Sequence, residues 1–512
     1  MEPPVSRSRS RPMGWWILVL AGLLAAGCQE RRPPARSKPA TFDFSFPRAP
    51  WRLQRRLWYR VLLQGRTAGW HRLEVFSDPA RSTAFRVVQA RTEVRLGLRG
   101  QDSLLVFEQR ALVDRDGHLL RLYWSESEQA RVTLAVQAGR RGDDWVVVRG
   151  AETVRLPLRR EAVFPVSYAR LFGKGVPRPG ERRTFVTFDG GLGAYLEQTL
   201  VVGPRQRREG RELLSAQLLV KDGSREPVQM LLDDELVPWH LRLGLGRLRL
   251  AFARQAGPPP EPAEAVDLSS LESVPFTPPW QHVERVERVL YRVEGLPENF
   301  AAGNLVGPGQ RLRGHPGPST FLVEVQRLSP PGRVPRNFPV PAEVARYLRA
   351  STMLPLAKPD LQRAAAGALG GTADAWQAAR ALRRFVSREI DSRRRLAFVP
   401  ADQVLAGGYG DCAEQSILLA ALLRVAGIPA RAVLGLVWRR GAFWKHMWVE
   451  AWLAGAWYPL DPAQERDSID VRWIRLGWLP LGPGGDWQQR RQLLAAFASG
   501  LKVEVVEFQQ GG

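Results

Sequence analysis

Residues 407–429 read GGYGDCAEQSILLAALLRVAGIP, and this stretch predicts a buried helix that begins at a cysteine. Asp411 is a good N-cap residue, and Glu414 three positions later completes a capping-box pattern. The apolar run that follows is typical of a buried helix, and Gly427 just after it indicates the end of that helix. Cys412 therefore falls at the first helical position.

A cysteine at this position is suited to chemistry. The positive end of the helix macrodipole favours the thiolate, which is the nucleophilic form. The chain has two cysteines, and the other, Cys28, lies in a candidate lipid-attachment motif near the N-terminus. We therefore interpret Cys412 as a candidate nucleophile. Its structural alternative is an inert buried helical cysteine.

Among the six histidines of the chain, His446 has the most informative surroundings. Residues 444–452 read WKHMWVEAW, an alternation that predicts a strand with His446, Trp448 and Glu450 on one face. A turn signal follows, and the sequence WYPLDP then leads to Asp461. We expect the other five histidines to be surface, strand or loop residues rather than bases or metal ligands.

The hairpin register decides whether His446 and Asp461 can meet. In the favourable registers Asp461 lies opposite or diagonal to His446 on the same face, roughly 5–8 Å away, whereas a one-residue slip separates them. The carboxylate can then fix one imidazole nitrogen and leave the other for Cys412, which is the arrangement of covalent acyl transfer. The alternative is a satisfied strand histidine and a turn-forming aspartate before Pro462.

These segments together resemble the transglutaminase-like superfamily, in its bacterial envelope branch. The resemblance is carried by GDCAE at 410–414, GIPAR at 427–431, HMWVE at 446–450 and WYPLDP at 457–462. It implies a papain-like α+β core, with Cys412 as nucleophile, His446 as general base and acid, and Asp461 as the orienting acid. The backbone N–H of Cys412 would contribute to an oxyanion hole. Animal members need calcium, but no loop of calcium-binding spacing occurs in the sequence, so we predict no metal and no cofactor.

The N-terminus predicts export and a lipid anchor. Arginines at positions 7, 9 and 11 precede an apolar run at 15–26, which is typical of a secretion signal and too short to span a bilayer. Residues 24–28, LAAGC, resemble the bacterial lipobox, which implies lipid attachment to Cys28. A cleaved signal with a chance cysteine is the alternative. Gln29 after the cysteine favours, by analogy, the outer membrane facing the periplasm.

The formal net charge of +23 raises the question of a nucleic-acid partner. The basic residues are scattered along the chain without a basic stripe or a nucleic-acid motif, so we expect no nucleic acid. The expected partners are a protein or peptide substrate and the membrane, reached through the N-terminal lipid. The oligomeric state stays open.

The sequence predicts two main parts and an α+β class. The predicted divisions are a signal peptide at 1–27, a tether at 28–50, a large antiparallel β domain at 51–256, a proline-rich linker at 257–282, a strand-containing connecting region at 283–340 and a transglutaminase-like domain at 341–512. The β domain is predicted from period-two runs and turn signals, and barrel, half-barrel and sandwich all stay possible. Helices are predicted near 341–350, 359–368, 373–389 and 486–498, and a strand at 501–508.

The sequence thus predicts an envelope-anchored thiol acyl-transfer enzyme that acts on amide bonds. Water as the acceptor would make it a peptidase or amidase, and an amine would make it a crosslinking transferase. A catalytically silent binding or scaffold lipoprotein is the second hypothesis. A binder of anionic polymers through arginine is the third, and its binding would depend steeply on salt.

Overall fold

The computed structural model describes residues 50–511 with several gaps. The gaps are 79–84, 99–100, 150–151, 165, 174, 176, 192, 221–226, 246, 272, 281, 299, 394–398, 465–468, 480, 482–492, 494–495 and 497–499. The predicted signal peptide, Cys28, nearly all of the tether and most of the helix predicted near 486–498 lie outside the described residues.

Strands dominate the described chain. They are β1 Arg52–Leu63, β2 Arg66–Ser77, β3 Phe85–Leu98, β4 Gln101–Asp114, β5 Leu119–Glu128, β6 Arg131–Arg141, β7 Asp144–Arg149, β8 Glu152–Pro157, β9 Arg182–Asp189, β10 Ala194–Arg208, β11 Arg211–Val220, β12 Val228–Leu232, β13 Pro238–Leu245, β14 Leu248–Gln255, β15 Val266–Asp267, β16 Ser273–Pro275, β17 Val286–Glu294, β18 Gln310–Gly317, β19 Thr320–Gln326, β20 Asp391–Ser392, β21 Tyr409–Gly410, β22 Ala430–Arg439, β23 Ala442–Leu453, β24 Ala456–Leu460, β25 Trp473–Leu479 and β26 Lys502–Gln510.

The α-helices are fewer and lie in the C-terminal part. They are α1 Ala342–Ala345, α2 Pro359–Leu369, α3 Ala375–Glu389, α4 Ala401–Gly407 and α5 Cys412–Val425. Short 3₁₀ helices occur at Ala169–Phe172, Ser269–Leu271, Val283–Arg285, Ala302–Leu305 and Arg346–Leu348.

Strands β1–β14 form one antiparallel sheet that curves into a half-barrel, which decides among the three architectures left open by the sequence. Across the sheet the strands follow in descending order from β8 to β1, and then again in descending order from β14 to β9. Strands that are neighbours in the chain are therefore mostly neighbours in the sheet. Tight turns make this possible. The β1–β2 turn is Gln64–Gly65. Both residues have a positive φ, which a two-residue hairpin turn of type I′ requires.

The alternating side chains of the half-barrel fill its interior. Tyr59, Phe252 and Trp145 are almost completely buried there. Residues 162–164 and 166–172, which we call the crossing segment, lie across one end of the half-barrel. Its backbone bonds to both arms of the sheet, because the N–H of Phe164 donates to Gly117 O (2.9 Å) and the N–H of Tyr168 donates to Leu236 O (3.0 Å).

The C-terminal part has the α+β class predicted for it. Strands β16, β23, β22 and β25 form one sheet with β24 beside β23, and β18, β19, β17 and β26 form another. The predicted helices at 359–368 and 373–389 are confirmed as α2 and α3, and the predicted strand at 501–508 is confirmed as β26. The predicted helix at 341–350 is α1 continued by a 3₁₀ turn, while α4 was not predicted.

Residues 257–282, for which we predicted a linker, carry two short strands. Val266 in β15 lies opposite Leu96 of β3, and Val274 in β16 lies opposite Phe443 of β23. A further bond joins the two parts, since Thr352 Oγ1 donates to Arg149 O (3.1 Å). The segment therefore pairs with both sheets.

Candidate active site

Helix α5 begins as the sequence predicts. The Asp411 side chain accepts from the N–H of Ala413 (2.8 Å), and Glu414 Oε2 accepts from the N–H of Asp411 (3.0 Å), so the capping box is formed. Glu414 is buried, and burial raises the pKa of its carboxyl well above its usual range, with the Asp411 charge adding to the rise. Cys412 is half-buried at the first helical position.

The helix packs against β22 and β23, and its C-terminal end is tied to the start of β22. Arg424 is buried, and its Nε and Nη2 both donate to Ala430 O (3.0 and 2.7 Å). A third bond from Nη1 reaches Arg349 O (2.7 Å). These bonds fix helix α5 relative to β22 and its neighbour β23. Because β23 carries His446, they also fix the Cys412 helix relative to the strand of the candidate base.

The structure brings His446 and Asp461 into direct contact. In the β23–β24 hairpin Val449 lies opposite Leu460, which puts Asp461 diagonal to His446 on the same face, one of the two favourable registers. The distance from His446 Nε2 to Asp461 Oδ2 is 2.7 Å. The two residues are 3% and 2% exposed, so this bond is shielded from water.

Two further donors hold the Asp461 carboxylate. The Nε1–H of Trp473 donates to the same Oδ2 (3.3 Å), and the N–H of Ala463 donates to Oδ1 (3.0 Å). A carboxylate that accepts several hydrogen bonds has a fixed orientation, so it also fixes the ring of His446. No motif of the sequence indicates this role for Trp473, which occurs in a strand-like stretch without any other distinguishing signal.

The ring of Trp448 lies beside that of His446. The ring centroids are 6.4 Å apart with an interplanar angle of 27°. Trp448 also lies over Gly435 of the neighbouring strand, where a Cβ atom would come within 2.4 Å of the indole. Glycine at 435 therefore makes room for this tryptophan and also for the carbonyl oxygen of Ile474, which an added Cβ would approach to 2.3 Å.

Glu450, which lies on the same face of β23 as His446, is the centre of a buried charge cluster. It accepts from Arg431 Nε (2.6 Å) and from Arg475 Nε (3.0 Å). The three side chains are 1–11% exposed. The Arg431 guanidinium also stacks on Trp457, 4.0 Å from the ring centroid. This cluster joins β22, β23 and β25, and so supports the sheet that carries His446.

The other described histidines do not join this site. His71 is buried and hydrogen-bonded to Thr92 Oγ1 (2.7 Å), and burial lowers its pKa to about 3. Among the described residues, one cluster has potential metal-ligand atoms within 4.8 Å of one another, and it is formed by Asp114, Asp116 and His118. Its Asp114 carboxylate already accepts from the N–H of Asp116 and of His118 (2.9 Å each), as in a turn.

The order of these elements, a capped cysteine helix followed by strands with His446 and Asp461, can be compared with known families. Residues 362–462 match the sequence model of the transglutaminase-like superfamily. Residues 362–462 therefore belong to a transglutaminase-like domain, as the sequence predicted. The match includes Cys412 as well as the other two candidate residues.

Solved structures give more distant similarity. A candidate cysteine protease from Cytophaga hutchinsonii is 13% identical, with 44% of this chain and 86% of that chain covered and a TM-score of 0.30. The periplasmic domain of TgpA from Pseudomonas aeruginosa, bound to ethylmercury, is 17% identical, covering 35% and 91% with a TM-score of 0.23. A β-barrel-like protein from Brucella abortus is 14% identical, covering 39% and 94% with a TM-score of 0.31. No curated protein sequence matches the chain.

Within the described part of the chain, none of the helices combines the length and the apolar character that crossing a membrane requires. Cys28 and its lipobox-like motif lie outside the described residues.

Proposed function

We propose that the protein is a thiol acyl-transfer enzyme that acts on amide bonds through Cys412, His446 and Asp461. The observation that carries the proposal is the buried bond between His446 Nε2 and Asp461 Oδ2 on the strand against which the Cys412 helix packs. A buried histidine that is hydrogen-bonded to a carboxylate is the usual arrangement by which an enzyme orients a general base. An exposed ion pair would not hold the imidazole ring in one orientation as firmly, because solvent screens it.

In this proposal the two ring nitrogens of His446 have different roles. Because Nε2 is engaged by Asp461, Nδ1 is the atom that exchanges a proton with the sulfur of Cys412. The thiolate attacks the amide carbonyl carbon, and the developing oxyanion is stabilised by the backbone N–H of Cys412. One such donor is worth roughly 3 kcal/mol. Protonated His446 then gives its proton to the leaving amine as the C–N bond breaks, which leaves a thioester on Cys412.

The thioester is resolved by a second acceptor. His446 removes a proton from water or from an amine, the acceptor attacks the thioester carbon, and the sulfur leaves and is restored with its proton. Water gives hydrolysis of the amide, and an amine gives a new amide.

The test is incubation of the full chain with a glutamine-containing peptide and a fluorescent primary amine. We expect either covalent incorporation of the amine or release of ammonia without incorporation, and neither reaction with Cys412→Ala. Ser416→Ala, four residues along the same helix, is the matched control and should retain activity. No reaction by the natural protein on glutamine or on a panel of peptide amides would favour the silent scaffold and overturn the proposal.

A second measurement does not need a substrate. Alkylation by iodoacetamide reports the thiolate, so Cys412 should react at pH 6 faster than free cysteine, whose ordinary pKa is about 8.5. His446→Ala should slow this reaction without changing its rate at pH 10, where any thiol is ionised. Equal rates for the natural protein and free cysteine at pH 6 would argue against an activated sulfur.

We further propose that the chain is anchored in the cell envelope through lipid on Cys28, at the outer membrane facing the periplasm. The support is the lipobox-like motif. Expression of the full chain with labelled palmitate should label the natural protein but not Cys28→Ser. Label on both would overturn the anchor and leave the enzyme proposal unaffected.

A further inference from the structure

The β domain contains a cavity of about 590 Å³ between the half-barrel and the crossing segment. Ligand pockets of proteins have volumes of roughly 300–1,000 Å³, so this space is sufficient for a small organic molecule. Strands β1–β4 form one wall and the crossing segment forms the other. None of the residues proposed for catalysis lines it.

Both walls of the cavity contribute apolar side chains. The sheet register places Val75 opposite Val88, so their side chains lie on the same, inner face. The apolar residues that line the cavity include Val75, Val88 and Val113 from the sheet and Val163, Val166 and Leu171 from the crossing segment. Two facing apolar walls favour a hydrocarbon group between them.

Each wall also contributes an exposed arginine. Arg86 lies opposite Ser77 and Val113 at the end of β3. Arg170 belongs to the crossing segment, and its Nη1 lies near Gly117, where an added Cβ would be 3.7 Å away. Neither guanidinium forms an ion pair with a carboxylate of the residues that the structure describes.

The other charges of the cavity are already compensated. Arg55 pairs with Glu235 (2.7 Å), and Asp116, which lines the cavity, pairs with Arg115 (3.5 Å). Arg86 and Arg170 therefore give the cavity a positive rim over an apolar interior. Charge-assisted hydrogen bonds from guanidinium groups are well suited to a carboxylate or phosphate.

We propose that this cavity binds an anionic amphiphile, a hydrocarbon chain that carries a carboxylate or phosphate head. The chain lies between the two valine-rich walls, and the head accepts hydrogen bonds from Arg86 and Arg170. The site is separate from Cys412, so it stands or falls independently of the proposed acyl transfer.

The test is calorimetric titration of the full chain with decanoate, dodecanoate and tetradecanoate below their critical micelle concentrations. Dodecanol and dodecyltrimethylammonium serve as neutral and cationic probes of the same chain length. A lysophosphatidylglycerol with a twelve-carbon chain distinguishes a phospholipid source from a free fatty acid. The variants are the double substitution Arg86→Gln with Arg170→Gln, the cavity-filling Val166→Trp, and Arg208→Gln as a control for charge at an exposed position outside the cavity.

We expect saturable binding of dodecanoate or of the phosphate-headed lipid, whichever is the physiological source. Affinity should rise roughly three- to fourfold per methylene until the cavity is filled. The double arginine variant should weaken anion binding at least tenfold while leaving dodecanol unchanged, and Val166→Trp should weaken both. Equal binding of anion and cation, equal losses in the double variant and Arg208→Gln, or no saturable binding of any probe would each overturn the proposal.

Discussion

The substitution Glu450→Gln tests whether the buried charge cluster holds the transglutaminase-like sheet together. It keeps the size of the side chain but removes the negative charge between Arg431 and Arg475, whose side chains are 11% and 5% exposed. Removing one partner from a buried ionic group costs about 3–5 kcal/mol, because a buried charge loses its compensation. In this cluster the guanidinium groups of Arg431 and Arg475 would both lose the negative charge that compensates them. Burial already lowers the pKa of Arg475, and Glu450 opposes that effect.

A matched control exists in the neighbouring sheet. Glu324 also bridges two arginines, Arg288 at 3.3 Å and Arg313 at 2.6 Å, but these side chains are 40% and 45% exposed. Solvent screens such pairs, so Glu324→Gln should cost at most about 1 kcal/mol. Each glutamate pairs with two arginines, so a difference in the stability cost of the two substitutions reports the burial of the arginines rather than the number of ion pairs.

The assay is urea unfolding followed by tryptophan fluorescence and far-UV circular dichroism. With a typical m value of about 2 kcal/mol/M, Glu450→Gln should lower the urea midpoint of the C-terminal domain by about 1.5–2.5 M. Glu324→Gln should lower it by less than about 0.5 M. Similar shifts in both variants, or a loss below about 1 kcal/mol for Glu450→Gln, would refute the reasoning that burial makes this cluster important.

Three further predictions follow from the site and the half-barrel. Asp461→Ala and Asp461→Asn should each lower the turnover rate by roughly 10²–10⁴-fold with little change in KM, because either substitution removes the carboxylate that fixes the tautomer of His446; steady-state kinetics of both variants decides this. Gly435→Ala should disturb the Trp448 and His446 rings and lower both activity and melting temperature, and normal values for both would contradict the packing argument. Burial raises the pKa of Glu126 from 4.5 to about 8, so the unfolded state binds fewer protons and stability falls as pH rises from about 4.5 to 8. Glu126→Gln should flatten this fall in melting temperature, while Glu126→Asp should keep it.

Much of the site was determined by the sequence alone. The capping residues Asp411 and Glu414 act within one helical turn, so a local pattern was enough to place Cys412 at the start of a helix. Alternation along β23 put His446 on a defined face for the same reason. The half-barrel strands were recognised from their period of two and their turn signals.

The tertiary structure decided what local patterns leave open. A strand alternates equally well in every register, and only the observed pairing of Val449 with Leu460 brings Asp461 onto the face of His446. Trp473 and Arg475 reach the site from a strand distant in sequence, so no spacing rule could find them. The half-barrel likewise depends on the curvature accumulated over many strands and on the crossing segment at its end. Such long-range contacts are fixed by packing and burial of the whole chain rather than by any single stretch of it.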